Sequence, residues 1–172
     1  PGHGGQRITI LAIDEPSFQQ LQQAWPFPRS LHAALLQRLH AHAAAAVGLD
    51  VVFADPAADP AQDNALAQAV DRAVAAGIPV VLASSREKVD SASATLWTEV
   101  LPLQTLRDAG AQHGDAGVEP DDDFVVRRMP PSAGRFAATL AQHLGARPAP
   151  APSADADRLV AYRGPRGSFD TR

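Results

Sequence analysis

Short apolar runs alternate with longer amphipathic segments along the first half of the chain. Residues 8–13, 47–53 and 78–83 are rich in isoleucine, valine and leucine and almost free of charge. Runs of this length and composition are typical of strands that are buried on both faces of a parallel sheet. We therefore predict three strands at these positions.

The segments between the runs have the periodicity of helices. Ser30 is a candidate N-cap for the first helix. The second is predicted to begin at Asp63 or Asn64 and to end at Gly77, which can adopt a left-handed conformation. Their apolar positions are Leu31, Leu35, Leu36, Leu39 and Ala43 in the first helix and Leu66, Val70 and Val74 in the second. The alternation predicts an α/β fold with a mostly parallel sheet, built from right-handed β-α-β-α-β crossovers.

The second half of the chain has a weaker pattern. Residues 84–93 are polar and are predicted to form a loop. Residues 112–118 and 124–129 flank an acidic turn, which favours an antiparallel hairpin in this half. The remaining predicted elements are a helix at 102–109 ending at Gly110, a helix at 136–144 and a last strand at 159–162.

Length and composition limit the possible classes of protein. A chain of 172 residues can bury one substantial core, so we predict a single domain over residues 8–172, preceded by a glycine-rich leader at 1–7. The net charge is -4 and basic residues form no stripe, which argues against a nucleic acid partner. No apolar run approaches the roughly 20 residues of a membrane span.

The sequence offers no convincing metal or cofactor site. Cysteine is absent, which excludes disulfides and thiolate ligands. His40 and His42 are two positions apart, so on a helix they point in different directions. Asp121, Asp122 and Asp123 lack the spaced ligands of a calcium loop and are expected to form a solvated turn. We predict neither a bound metal nor a cofactor, and the motifs of phosphate-binding loops and serine hydrolases are missing.

Four residues are candidates for a ligand-binding site. Asp14 and Asp55 each follow a predicted strand, and open α/β sheets usually bind ligands at the carboxyl ends of their strands. Trp25 and Arg29 lie in the proline-rich connector Trp-Pro-Phe-Pro-Arg, and such side chains often anchor ligands and partners. The alternatives are that the two acids cap turns and that Trp25 closes the core. An enzymatic alternative is a small metal-assisted phosphoester hydrolase using Asp14 and Asp55.

A further acid lies inside a predicted strand. Strand alternation places Asp50 on the face opposite to Val51, and both faces of a parallel strand are normally covered. A buried carboxylate requires a partner, so we predict a structural ion pair between Asp50 and either Arg29 or Arg127.

Several motifs occur together in an order that resembles a known family. These are Asp14-Glu15-Pro16-Ser17-Phe18, Trp25-Pro26-Phe27-Pro28-Arg29, Asp50-Val51-Val52-Phe53, the acidic turn at Asp121 through Arg127, and Tyr162-Arg163-Gly164-Pro165. Together they resemble the second-type CHASE sensory domain, although Phe124 stands where glycine is expected in the turn.

The resemblance implies a sensory domain on the periplasmic or extracellular side of the bacterial inner membrane. It implies a receptor whose output is a nucleotide cyclase, histidine kinase or Ser/Thr kinase, with membrane helices outside this chain and no catalysis by the sensory domain itself. The ligand would be an unknown small molecule or protein. The resemblance also leads us to expect a domain that continues beyond Arg172, so that this fragment could form a homodimer through an uncovered sheet edge.

Overall fold

The computed structural model describes residues 8–90, 95–118, 120–129, 134–146, 158–159 and 170–171. The chain divides into two compact units, one made of Pro1–Phe27 with Val160–Arg172 and the other of Pro28–Leu159. The helices are α1 (Glu15–Leu21), α2 (Arg29–Ala41), α3 (Pro60–Ala75), α4 (Gln104–Asp108) and α5 (Phe136–His143). The strands are β1 (Thr9–Ile10), β2 (Val47–Leu49), β3 (Val80–Asp90), β4 (Thr95–Val100), β5 (Gln112–Asp115), β6 (Arg128–Met129), β7 (Arg158–Leu159) and β8 (Asp170–Thr171).

The second unit is built on the predicted α/β sheet. β3 lies between β2 and β5 and is parallel to both, with Leu82 in register with Leu49 on one side and with His113 on the other. Beyond Ser84, β3 continues as an antiparallel ribbon with β4, from Ser85 opposite Val100 to Asp90 opposite Thr95. The mostly parallel sheet with helices between its strands confirms the predicted fold class.

One face of this sheet packs against α2, α3 and α4. The core contains Leu36 from α2, Leu66 from α3 and Leu106 from α4, which are at most 1% exposed, together with Leu82 and Phe53 from the sheet side. The alternation predicted for residues 47–53 is present, because Val47, Leu49 and Phe53 are buried on this face. Burial of these side chains supplies the main stabilisation of the unit.

The other face of the sheet is covered by α5. A Cβ on Gly114 would lie 2.6 Å from the Cα of Phe136, and one on Gly48 would lie 2.9 Å from Cζ of the same phenylalanine. Gly114 therefore lies against the main chain of α5 with no space for a side chain, whereas Gly48 lies against side-chain atoms of α5 that must shift to admit one.

The helix ends differ in detail from the predicted ones. α2 begins at Arg29, one residue before Ser30, and the Ser30 N–H donates to Oε1 of Gln62 in α3 at 2.9 Å. α3 begins at Pro60, because Asp59 accepts from the N–H of Ala61 and caps the helix earlier than Asp63. Gly77, Gly110 and Gly145 adopt positive φ after α3, α4 and α5, and the first two are the predicted helix ends.

The first predicted strand is shorter and more exposed than expected. Only Thr9–Ile10 forms a strand, and it pairs in parallel with β8 in a separate two-stranded sheet of the first unit. Ile8 is 64% exposed and Ile10 is 44% exposed. The apolar composition of residues 8–13 had suggested a buried strand of the main sheet, and composition alone does not show which strand is its neighbour.

Two predictions for the second half were wrong. Residues 112–118 and 124–129 do not pair with each other, because β5 joins β3 in parallel and β6 pairs with β7. The antiparallel hairpin is instead formed by β3 and β4. The part of β3 beyond Ser84 lies within the residues predicted to be a loop, and β4 lies in a segment for which no element was predicted. A ribbon with both faces in water has no hydrophobic alternation, so its sequence gives little sign of a strand. Of the predicted last strand, residues 160–162 lie outside the described residues.

Candidate functional site

The carboxyl ends of the three parallel strands lie at one edge of the sheet, where loops follow β2 and β5 and where β3 continues into the ribbon with β4. Because β2, β3 and β5 run in the same direction, their carboxyl ends lie at the same edge, where ligand sites of α/β sheets are usually found. Two arginines, Arg29 and Arg135, are held at this edge by carboxylates. The carboxyl edge of the second unit is thus the candidate functional site.

Arg29 is the first residue of α2, and its side chain makes three contacts. Its Nε lies 3.4 Å from Oδ1 of Asp63, and its Nη2 donates to the main-chain carbonyl of Asp55 at 3.1 Å. Its Cζ lies 4.6 Å from the centre of the Phe53 ring, a cation–π distance. A guanidinium has five N–H groups, and these two hydrogen bonds use two of them. The other three have no acceptor among the described residues.

Asp63, which was predicted only as a possible start of α3, is the carboxylate that binds Arg29. It is 8% exposed, and its Oδ2 accepts from the N–H of Ala57 at 2.8 Å while Oδ1 faces Arg29. The carboxylate therefore ties the loop after β2 to the start of α2. A signal was present in the sequence, because Asp63 lies one helical turn before Leu66 and shares its buried face.

His32 lies beside this cluster, one turn along α2. It is 4% exposed, and its ring meets the Phe53 ring edge to face at 5.2 Å. Burial, followed by the positive charge of Arg29, lowers the pKa of His32 below its ordinary 6.5. The imidazole is therefore held neutral over a wider pH range than a solvated histidine.

A second ion pair lies at the end of β5. Arg135 donates to Oδ2 of Asp115 and to the carbonyl of Gly117, while Oδ1 of Asp115 accepts from the Gly117 N–H at 2.9 Å. Ser84 of β3 is in register with Asp115, and its hydroxyl is fully buried without a hydrogen-bond partner in the described part of the chain. These contacts fix the loop after β5 against the start of α5.

The acidic turn forms a third cluster, on the surface. Arg127 binds Asp121 at 3.1 Å and Asp123 at 2.7 Å, and Arg128 binds Asp121 at 2.7 Å. The hydrogen bond from Arg127 lowers the pKa of Asp123. Among the described residues no group of three or more acids and histidines is arranged to hold a metal ion.

The predicted site residues are distributed between the two units. Arg29 and Asp55 are brought together in the second unit, although through the Asp55 carbonyl, since its carboxylate is exposed. Asp14 and Trp25 belong to the first unit. Asp14 caps α1 by accepting from the N–H of Ser17 at 3.2 Å and from its hydroxyl at 3.0 Å. Trp25 is 49% exposed and meets the ring of Phe27 at 5.8 Å.

The predicted ion pair of Asp50 is not present. Asp50 is exposed, and its two candidate partners bind other carboxylates, Arg29 in the α3 contact and Arg127 in the acidic turn. Asp50 follows the end of β2, where the sheet no longer covers both sides of the chain. The expectation of burial assumed that the strand continued through this residue.

Comparison with families of known proteins gives a match over nearly the whole chain. A family model for the CHASE2 domain matches residues 1–171. No curated protein and no solved structure matches the chain. No helix in the described residues is long and apolar enough to cross a membrane.

Proposed function

The chain belongs to the CHASE2 domain family, whose members are extracytoplasmic sensory domains, and from this premise we propose that it is the signal-input domain of a membrane-bound bacterial receptor. The domain lies on the periplasmic or extracellular side of the inner membrane and has no catalytic activity of its own. Its receptor carries a nucleotide cyclase, histidine kinase or Ser/Thr kinase as output. The family match over residues 1–171 carries this proposal.

The ligand site of the proposed sensor lies at the carboxyl edge of the second unit. Arg29 has three N–H groups there without an acceptor among the described residues, and it contacts the main chain of Asp55, whose side chain is exposed. A small molecule or a protein segment that presents both an acceptor and a donor would fit this pair. Asp14 and Trp25 remain predicted ligand-binding residues, which substitution can test one at a time.

Signal transmission follows from the position of Arg29. A ligand that binds Arg29 competes for a guanidinium that joins the loop after β2 to α2 and α3. Binding therefore shifts the relative populations of two arrangements of these elements, to the extent that the ligand prefers one of them. In the receptor, membrane helices outside this chain would carry the change to the output domain.

The test is a ligand screen on the purified chain, read by amide chemical shifts. Mixtures of amino acids, dicarboxylates and phosphorylated sugars serve as probes, and we expect the shifts to concentrate at Arg29, Asp55 and Ala57. Asp55→Asn should weaken binding of the probe, whereas Asp50→Asn, a matched change at another exposed aspartate, should not. Shifts confined to α5 or α4 would contradict the assigned site.

Catalysis would overturn the sensor proposal as a whole. The same preparation is therefore assayed with phosphoester substrates and divalent cations. Turnover that Asp14→Asn abolishes would favour the hydrolase alternative.

A further inference from the structure

The ribbon formed by β3 and β4 carries an exposed edge strand. β4 (Thr95–Val100) pairs with β3 along one side, and along its other side no strand of the described residues pairs with it. Leu96 is 60% exposed and Trp97 is 54% exposed. The strand thus presents large apolar side chains to solvent along an edge at which no second described strand is paired.

This edge lacks the usual protection against pairing. Natural edge strands are commonly shortened, bulged, or marked with lysine or proline on the exposed edge. β4 is six residues long and contains no lysine or proline. Its only charged residue is Glu99, which faces Arg86 of β3 within the same ribbon. Such a strand favours pairing with another strand over remaining open.

We propose that β4 pairs antiparallel with β4 of a second copy of this chain, with the two-fold axis at Trp97. In this register Trp97 faces its counterpart, Leu96 faces Thr98, and Thr95 faces Glu99. No two like charges are then opposed, which an antiparallel pairing requires for stability. Moving the axis to Thr98 would instead place each Glu99 against an indole.

The surroundings of Trp97 are consistent with this register. Arg86 lies over the indole, with its Cζ 5.6 Å from the ring centre, and Lys88 is directly opposite Trp97 in β3. Pairing the two tryptophans would give a continuous row of cation, two aromatic rings and cation across a four-stranded sheet. Aromatic pairs and cation–π contacts both stabilise such an arrangement.

The size of the contact predicts a weak dimer. Six residues of strand span about 20 Å. A contact along a strand edge of this length buries less surface than the roughly 800 Å² per partner of a standard interface. We therefore expect reversible association with a dissociation constant in the micromolar range or weaker. The inference does not depend on the proposed ligand site.

Sedimentation equilibrium over a concentration series tests the association. The wild-type chain should show a monomer–dimer equilibrium, and Trp97→Ser should weaken it at least tenfold. Phe124→Ser is the matched control, since Phe124 is 89% exposed and lies outside the ribbon, and it should leave the equilibrium unchanged. A wild-type chain that stays monomeric at every concentration, or a dimer that loses stability only with Phe124→Ser, overturns the proposal.

Cysteine cross-linking tests the register without changing Trp97, because the chain has no cysteine. Residues directly opposite in an antiparallel pair lie about 5 Å apart, within disulfide reach, whereas Thr95 and its own counterpart would lie roughly 13 Å apart. A mixture of Thr95→Cys and Glu99→Cys chains should therefore cross-link on oxidation, and each variant alone should not. Failure of the mixture to cross-link at concentrations where the chain dimerises overturns the proposed pairing.

Discussion

Arg29 and Asp63, which are 34 positions apart in the sequence, form an ion pair at the start of α2 in which both side chains are mostly shielded from solvent. The side chain of Arg29 is 14% exposed and that of Asp63 is 11% exposed. Since Asp63 also accepts from the N–H of Ala57, the pair connects two helices and a loop at the carboxyl edge of the sheet.

Loss of Asp63 should therefore be costly. Asp63→Ala removes the carboxylate that pairs with the Arg29 guanidinium and accepts from the Ala57 N–H, and we expect a loss of about 3 kcal/mol in the free energy of unfolding. Urea denaturation followed by circular dichroism measures the change. Asp50→Ala removes an exposed aspartate and should stay within about 0.5 kcal/mol of the wild type. Equal effects of the two substitutions would show that the pair is not stabilising.

The two glycines beneath α5 should tolerate alanine unequally. At Gly114 the added Cβ meets main-chain atoms of Phe136 at 2.6 Å, so α5 itself must move. At Gly48 the added Cβ meets the tip of the Phe136 ring at 2.9 Å, and that ring can shift. Gly114→Ala should lower the free energy of unfolding more than Gly48→Ala, by a difference on the order of 1 to 3 kcal/mol, and should have the lower melting temperature of the two. The opposite ranking in a thermal melt would contradict the observed approach of α5.

Acidification should destabilise the second unit through His32. Its pKa is below 6.5 in the folded state because of burial and the Arg29 charge. The unfolded chain therefore binds more protons than the folded one between the two pKa values, so stability is fully present above about 6.5 and is lost as the pH falls through that window. Denaturation of the wild type at about pH 5 and about pH 7.5 should show this difference.

The matched substitutions for this effect are His32→Gln and His40→Gln. The first removes the titrating group and should reduce the pH dependence of the unfolding free energy over this window. His40 is exposed, and its replacement should leave the dependence in place. If the pH dependence survived His32→Gln and disappeared with His40→Gln, His40 rather than His32 would be its cause, and the prediction would be wrong.

The cap of α1 separates the structural and ligand-binding roles of Asp14. Asp14→Ala removes the acceptor of the Ser17 N–H and should cost about 1 kcal/mol of stability in the first unit. Asp14→Asn keeps a capping oxygen and should cost only about a few tenths of a kcal/mol of stability, because asparagine and aspartate are equally good N-cap residues. A probe that binds wild type but not the stable Asp14→Asn variant would demonstrate a requirement for the charge itself.

The sequence by itself determined the local elements of the second unit and the family. Periodicity located α2 and α3, glycines marked the helix ends at Gly77 and Gly110, and strand alternation placed Val47, Leu49 and Phe53 on one face. The expected burial of the opposite face at Asp50 was wrong. These features depend on neighbours a few positions apart along the chain, which is why they can be predicted from sequence. The motif set pointed to the CHASE2 family, which the match over residues 1–171 confirms.

Only the tertiary structure decided which segments meet. β5 pairs with β3 rather than with residues 124–129, and β1 pairs with β8. Arg29 forms its ion pair with Asp63 rather than with Asp50. Strand partners and ion-pair partners are selected by the three-dimensional positions of residues far apart in sequence, and a single sequence carries no direct record of them. The β3–β4 ribbon was not predicted for a related reason. Its strands are held by pairing with each other, and the side chains of residues 86–88 and 95–99 are exposed on both faces, so no hydrophobic pattern marks them.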